Sequence, residues 1–296
     1  MKTTLRLGAL AALAFASPAC SNDASQSYAD GVVTSDVTFP ETAWRTVDPE
    51  NLMLIDTAYG QIGVELFPEI APKHVAQVKQ LVRDGYYDGV VFHRVIDGFM
   101  NQTGDGTNGN GTGDSELPDI PAEFDFRRGE DMDVTLVSAR GGDQNSTVIA
   151  TGFYKSLPVA TQPISQAILT RDGKVAAYGL HCSGVTSMAR TTDPNSANSQ
   201  FFLMRGKADH LDTQYSIWGN TVIGRKHLTS FKEGVIGQDE GFVPDQMNTV
   251  RIAADIPEDG RPTVQVLEAT SDAFSNWIST QTYDDICDVK IPSRTL

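Results

Sequence analysis

The chain has 296 residues, of which 40% are hydrophobic and 21% are charged, and its formal net charge is −15. This composition is typical of a globular protein and excludes wholesale disorder and a bundle of membrane helices. The excess of acidic side chains would repel phosphate groups, so we expect no nucleic-acid partner.

Residues 1–19 predict a signal peptide. Lys2 and Arg6 form a basic start, residues 7–16 are an apolar run too short to span a bilayer, and small residues follow up to Ala19. This pattern directs secretion, after which the segment is removed. We therefore expect an exported protein, located in the periplasm of a bacterium.

Cys20 leaves two interpretations open. It directly follows the small residues, as the lipidated cysteine of a bacterial lipoprotein does, but Ser17 stands where such signals usually carry leucine. Either Cys20 carries a lipid or the signal is simply cleaved. A lipid anchor at Cys20 is the only membrane contact that the sequence predicts.

Residues 20–50 are polar and predict a linker, and the folded domain is expected over residues 51–258. The domain opens with two apolar-rich runs, Met53–Thr57 and Gln61–Leu66, whose spacing predicts a hairpin. A helix is expected from Pro72 to the residue before Gly85, because its apolar positions fall on one face.

Short strands and glycine-containing turns dominate the rest of the domain, with a second helix predicted over Arg225–Val235. Many strands and few helices favour a mainly β fold with a closed antiparallel barrel. Residues 129–178, rich in Ser, Thr, Gly and Gln, are interpreted as an insertion. Residues 259–296 are interpreted as a C-terminal extension with a strand over Thr263–Leu267 and a helix over Asp272–Ser279.

Two separated segments carry the most informative motifs. Residues 92–105 read FHRVIDGFMNQTGD, and residues 187–203 contain SMAR followed by DPNSANSQFFL. Together they resemble the two signature regions of cyclophilins, in the right order, and the resemblance covers most of residues 51–258 apart from the insertion. It implies a closed eight-stranded antiparallel barrel capped by two α-helices, and peptidyl-prolyl cis-trans isomerase activity on proline-containing polypeptides, with no cofactor and no metal.

Such an isomerase must weaken the resonance of the peptide bond, which sets a rotation barrier of about 18–20 kcal/mol. A cation that donates a hydrogen bond to the prolyl nitrogen favours the twisted amide selectively, because the nitrogen lone pair is freed only by twisting. Arginine suits this role, since it is always charged and carries a rigid fork of donors. By resemblance, the catalytic residues are Arg94 and Gln102.

The resemblance also implies a substrate-binding set. It comprises an apolar pocket for the proline ring, groups that hold the peptide extended, and two rim positions that depart from the best-known eukaryotic members, where tryptophan and histidine are usual. The pocket residues are Phe99, Met100, Phe202 and Leu211, the peptide-holding residues are Gln200, Ala189 and Arg190, and the rim residues are His210 and Tyr215.

Alternatives of other classes stay open at this point. The same pocket would serve a proline-peptide binding module or a holdase chaperone with little turnover, and Arg94 alone could be a strand arginine in a salt bridge.

The glycine-rich run 105–116 superficially suggests a calcium loop but lacks the EF-hand spacing. Cys182 and Cys287 could form a disulfide in an oxidising compartment, although sequence does not show that they are close.

Overall fold

A computed structural model describes residues 37–140 and 149–296. The predicted signal peptide and Cys20 lie outside the described residues. Within those two ranges, none of the helices combines the length and the apolar character needed to cross a membrane.

The described chain contains two α-helices, α1 (Pro72–Arg83) and α2 (Asp272–Ser279), and short strands make up most of its regular structure. The first nine strands are β1 (Trp44–Thr46), β2 (Leu52–Thr57), β3 (Gly60–Leu66), β4 (Arg94–Ile96), β5 (Met100–Thr103), β6 (Phe126–Arg128), β7 (Thr135–Arg140), β8 (Ile149–Tyr154) and β9 (Leu157–Thr161). The others are β10 (Val175–Gly179), β11 (Val185–Met188), β12 (Phe201–Met204), β13 (Ile217–Ile223), β14 (Gly234–Val235), β15 (Thr249–Ile252), β16 (Val264–Leu267) and β17 (Ser293–Thr295).

The main sheet has nine strands in the order β14-β4-β5-β12-β11-β13-β3-β2-β15, and all of its pairings are antiparallel. It curls strongly but stays open, because the edge strands β14 and β15 do not pair with each other. Its two ends are joined by backbone hydrogen bonds between residues 89–92 and 245–247, with one isolated bridge at Val91 and Gln246, and by hydrogen bonds from Val250 and Arg251 to the Asp88 side chain. The mainly β fold is therefore confirmed, whereas the prediction of a closed eight-stranded barrel is wrong.

The opening hairpin and the first helix lie where the sequence places them. β2 and β3 pair in register from Leu52–Glu65 to Thr57–Gly60. α1 starts with Pro72, which suits the first turn because the first N–H groups of a helix have no partner within it. The backbone N–H groups of Lys73 and His74 instead donate to the carboxylate of Glu123.

The prediction of a second α-helix over Arg225–Val235 is wrong. Residues Arg225–Thr229 form a short 3-10 helix, and Gly234–Val235 form strand β14. A continuing α-helix would pair the N–H of Lys232 with the carbonyl of Leu228. In the structure, the Asn101 side chain donates to the Leu228 carbonyl at 2.9 Å, and the Lys232 N–H donates to the Asp245 carboxylate at 2.8 Å.

The predicted insertion is a folded layer. Strands β6 to β10 form a second, five-stranded antiparallel sheet with the order β6-β10-β9-β8-β7. This sheet is tied to the main sheet at Ser156, whose hydroxyl donates to Glu65 at 2.6 Å and whose carbonyl accepts from Asn220 at 2.7 Å. The described part of the predicted insertion therefore forms strands that are joined to the main sheet.

A third sheet joins the two ends of the described chain in the order β1-β16-β17. The part of the predicted linker that carries β1 is thus regular structure, paired with the C-terminal extension. The extension contains α2 as predicted, and its Phe274 and Trp277 are buried. One apolar cluster combines main-sheet residues with α1, and a second combines the main sheet with the insertion and the extension.

Cys182 and Cys287 form a disulfide, with their Cα atoms 4.9 Å apart and 105 positions separating them in sequence. The bond joins the domain to the C-terminal extension. Both cysteines are buried. The open question of their pairing is therefore answered by the tertiary structure.

We expect the double substitution Cys182→Ala and Cys287→Ala to lower the free energy of unfolding by about 2–5 kcal/mol, because the bond closes a loop of roughly 100 residues in the unfolded chain. Urea denaturation followed by circular dichroism measures this loss. Wild-type protein unfolded in the presence of a reductant provides the control and should unfold like the variant. Equal stability of oxidised wild type and variant would contradict the prediction.

Candidate active site

The site is built on three adjacent strands of the main sheet. In the register of the pairings, Arg94 on β4 lies opposite Gln102 on β5, and Gln102 lies opposite Phe202 on β12. Directly opposed residues on antiparallel strands project from the same face of the sheet. The three side chains therefore form one row across three strands, although Phe202 is 100 positions from Gln102 in the sequence.

A pocket of about 220 Å³ lies over this row. Nine of the eleven residues predicted for the site line it: Arg94, Phe99, Met100, Gln102, Ala189, Arg190, Phe202, Leu211 and Tyr215. Gln200 lines a neighbouring pocket, also of about 220 Å³, that shares Gln102, Ala189 and Arg190 with the first. His210 lines neither pocket, and its ring stacks on Phe99 with the centroids 5.9 Å apart.

Arg94 is a half-buried cation at the wall of this pocket. One of its terminal nitrogens, Nη1, donates to Gln102 Oε1 at 3.3 Å and lies 3.7 Å from Met100 Sδ. Burial lowers the pKa of the guanidinium, an effect that the nearby Tyr215 opposes. No carboxylate of the described chain lies within 4.0 Å of Arg94. The alternative of a strand arginine held in a salt bridge therefore does not describe its surroundings.

A relay of hydrogen bonds orients Gln102. Its amide nitrogen donates to Gln200 Oε1 at 3.2 Å, and the Gln200 amide nitrogen donates to the carbonyls of Gly111 and Gly113 at 3.2 and 2.8 Å. These directions leave Gln102 Oε1 facing the Arg94 guanidinium as an acceptor. The glycine-rich loop thus sets the orientation of Gln102.

Asp105 organises that loop, a role that sequence reasoning missed. Its side chain is 1% exposed and accepts hydrogen bonds from the backbone N–H groups of five residues at 2.8 to 3.2 Å. The donors belong to Thr107, Asn108, Asn110, Gly111 and Gly113. An aspartate directly before a glycine-rich run was the available signal, because short acidic side chains bind nearby backbone N–H groups. The Asp105 oxygens are occupied by these donors rather than arranged as calcium ligands.

Burial by itself would raise the pKa of the Asp105 carboxyl, but the backbone donors outweigh it and lower the pKa to about 2. The carboxylate is therefore charged at every physiological pH. Its charge holds the loop that supports Gln200 and Gln102.

A second cation, Arg190, also lines the pocket. The guanidinium of Arg190 is 4.5 Å from the centre of the Tyr215 ring and 5.7 Å from that of Phe124. Arg190 is anchored by donating to the Gln214 carbonyl at 3.1 Å. Tyr215 in turn meets Phe202 edge to face at 5.8 Å. Arg190 therefore supports the aromatic wall.

A buried polar group supports the floor of the pocket from behind. His181 Nδ1 is 2.9 Å from Asp212, and His181 Nε2 is 3.2 Å from the Ser187 hydroxyl. The imidazole stacks on Phe202 with the ring centres 6.2 Å apart. Both His181 and Ser187 are inaccessible to solvent, so this Asp-His-Ser series is a support for Phe202 rather than a nucleophile.

An apolar slot beside a half-buried arginine is what the resemblance implies for the site, although the sheet that carries it is open rather than a closed barrel. Residues 52–253 match the family described as cyclophilin type peptidyl-prolyl cis-trans isomerase/CLD. The chain belongs to this family, and it is a peptidyl-prolyl cis-trans isomerase.

Relatives from several organisms agree. A probable peptidyl-prolyl cis-trans isomerase of Brucella suis is 34% identical over 219 residues, which cover 70% of this chain and 85% of the relative. The mouse peptidyl-prolyl cis-trans isomerase-like 3 is 31% identical, over 60% of this chain and 80% of the relative. The crystal structure of cyclophilin AquaCyp293 from Hirschia baltica is similar with a TM-score of 0.77 and 36% identity, covering 88% of this chain and 98% of that chain.

We expect Asp105→Asn to lower the free energy of unfolding by about 2 kcal/mol at neutral pH. Because the folded-state pKa of Asp105 is depressed, its contribution is complete above about pH 4 and is lost as the pH falls toward 2. Denaturation curves of both proteins at several pH values measure the difference, which should shrink over this interval.

Asp114→Asn is the matched control, since Asp114 is an exposed aspartate of the same loop. Because burial and the charges of Asp119 and Asp105 raise the pKa of Asp114, removal of its charge should not lower stability at neutral pH. A difference between wild type and Asp105→Asn that stays constant from pH 7 to pH 2 would contradict the assigned role of the Asp105 charge.

Proposed function

We propose that the pocket binds the X-Pro segment of exported polypeptides, and that Arg94 donates a hydrogen bond to the prolyl nitrogen as the bond twists. The observation that carries the proposal is the half-buried guanidinium of Arg94, which lies beside an apolar slot without a carboxylate partner in the described chain. A cation left unneutralised at such a place is available to substrate.

The slot offers the apolar lining that a proline ring requires. Its apolar contacts come from Phe99, Met100, Phe202 and Leu211. Of these, Met100, Phe202 and Leu211 are buried by neighbouring residues. Burial of the ring in this slot would hold the proline while the segment before it rotates. Rotation then requires only that the carbonyl side of the bond be free to move.

Arg94 supplies stabilisation specific to the twisted state. In the planar amide the nitrogen lone pair is delocalised and is a poor acceptor, whereas in the twisted amide it is localised. Nη1 is the only Arg94 nitrogen with a hydrogen-bond partner in the described chain, so Nη2 and Nε remain available as donors. Gln102 fixes the plane of the fork, and the partial desolvation of the site strengthens the interaction.

Polar side chains that line the two pockets offer contacts to the peptide on either side of proline. The pocket next to the proline slot is lined by Gln102, Gln200 and Arg190, so an extended chain crossing both pockets passes all three. The Ala189 N–H is already used, since it donates to the Gln200 carbonyl at 2.8 Å. Side chains rather than this N–H are therefore proposed to hold the substrate backbone.

We expect Arg94→Ala to lower the catalysed exchange rate by about 10²–10³-fold, the usual loss when one transition-state donor is removed. Arg94→Lys should give an intermediate loss, because it keeps the charge without the planar fork. Exchange spectroscopy by NMR on a short unstructured Ala-Pro peptide measures the rate without a coupled protease.

Arg127→Ala is the matched control, since Arg127 is an exposed arginine paired with Asp172 on the insertion, and it should retain full activity. A wild-type protein that binds the peptide without speeding exchange would favour a proline-peptide binding module or holdase instead. Equal rates for Arg94→Ala and wild type would remove Arg94 from the mechanism.

Export to a bacterial periplasm completes the proposal. The signal-like residues 1–19 support it, and so does the disulfide, because disulfides persist in oxidising compartments. We expect mass spectrometry of the protein made in a Gram-negative host to find the mature N terminus at Cys20. Added lipid mass on Cys20 would identify a membrane anchor. A mature N terminus at Cys20 without that mass would identify a signal that is simply cleaved, and retention of residues 1–19 would contradict export.

A further inference from the structure

A second pocket, here called the Lys290 pocket, lies between the C-terminal extension and the end of β13. Its volume is about 290 Å³, near the lower end of small-molecule sites, which begin at about 300 Å³. It is lined by Arg225, Trp277, Gln281, Thr282, Tyr283, Asp288, Val289 and Lys290. None of these residues lines the isomerase pocket.

Two cationic side chains face this pocket in a chain whose net charge is −15. Arg225 is held by the carbonyls of Ser183 and Thr221, and Lys290 donates to the carbonyl of Cys287. Burial, followed by the positive charge of Arg225, lowers the pKa of Lys290 to about 8, against the smaller opposing effect of the negative charges of Asp288 and Asp285. The ammonium group is thus held in a partly desolvated position beside a second positive charge.

Two carboxylates near Lys290 accept hydrogen bonds from other groups, Asp288 through its Oδ2 atom and Asp285 through both oxygens. Asp288 accepts from the backbone N–H groups of Asp284 and Asp285, at 3.3 and 3.0 Å, as part of a capping box. Asp285 accepts from Lys207 Nζ at 2.7 Å and from the Cys287 N–H at 2.9 Å. In the described residues no carboxylate lies within the 4.0 Å of an ion pair from Lys290.

The other walls are apolar or aromatic. Trp277 and Val289 are 7% and 8% exposed, and the ring of Trp277 packs against Phe274 at 5.7 Å and Phe39 at 6.3 Å. Tyr283 is half-buried beside them. Such a wall favours a ligand with an apolar body, and the rigid packing of Trp277 keeps it in place.

We propose that the Lys290 pocket binds the carboxylate of an organic acid whose body is aromatic or aliphatic. An ammonium group has three N–H donors, and the Cys287 carbonyl takes one of those on Lys290, which leaves two for the oxygens of a carboxylate. Arg225, fixed by two carbonyls, adds positive potential. Trp277 and Tyr283 contact the body of the ligand. The source is either a free small acid or the C-terminal residue of a polypeptide.

The test compares phenylacetate with its neutral isostere phenylacetamide on the mature full-length protein, by titration followed in ¹H–¹⁵N NMR spectra. The indole N–H signal of Trp277 should shift with phenylacetate, while that of Trp218, which lies in the core of the domain, should not. We expect phenylacetamide to bind about tenfold more weakly or worse, because it lacks the charge.

Lys290→Met should weaken phenylacetate binding by about tenfold or more and leave phenylacetamide binding unchanged. Lys232→Met is the matched control, since Lys232 is an exposed lysine that pairs with Asp245 on another surface. Isomerase activity should be unchanged in both variants. A peptide that ends in phenylalanine, tested with a free and with an amidated C terminus, distinguishes the two sources. If the free form binds more tightly than the amidated form by the same factor that separates phenylacetate from phenylacetamide, the site is assigned to chain ends.

Equal affinity for phenylacetate and phenylacetamide in the wild type would overturn the proposal without reference to any variant. Unchanged phenylacetate binding by folded Lys290→Met would do the same. Inorganic phosphate that shifts Trp277 at lower concentration than phenylacetate would also overturn it, because the site would then recognise phosphate.

Discussion

The lateral pairing of β4, β5 and β12 is the constraint on which the site depends. It places Arg94, Gln102 and Phe202 side by side on one face, so that the half-buried cation, the amide that accepts from it and an apolar ring come together without an intervening loop. Side chains alternate along a strand, and a slip of one residue would send Arg94 or Phe202 to the opposite face. The register of three short strands therefore sets the shared face of these side chains, while the loop after Asp105 orients Gln102.

Buried polar groups protect that geometry from behind. Asp105 gathers the loop that orients Gln102 through Gln200, and His181 with Asp212 supports the ring of Phe202. A buried carboxylate also joins larger parts of the fold. Glu65 of the main sheet accepts hydrogen bonds from Arg45 and from Ser156 of the insertion. Such satisfied networks stabilise a particular arrangement, whereas leaving a member unpaired would be costly. The extension, joined by the disulfide, adds a second pocket at its boundary.

Much of the domain could be predicted because its signals are local. The hairpin of β2 and β3, the start of α1 at Pro72 and the helix α2 follow from apolar spacing and terminal residues a few positions apart. The grouping of most of the predicted site residues around one pocket followed from two motif segments whose order resembles that of a known family. Apolar spacing, however, describes no contacts between distant parts of the chain, and the resemblance covers neither the insertion nor the C-terminal extension.

The sequence by itself determined the family and the mainly β character, and it predicted Arg94 as the catalytic residue, which stays a prediction. Only the tertiary structure decided that the sheet stays open, that residues after Arg225 leave the helix and that Cys182 pairs with Cys287. The physical reason is the same in each case. Backbone groups and side chains choose partners by distance in space, as the Leu228 carbonyl does when it accepts from Asn101, 127 positions away, instead of from its own helix.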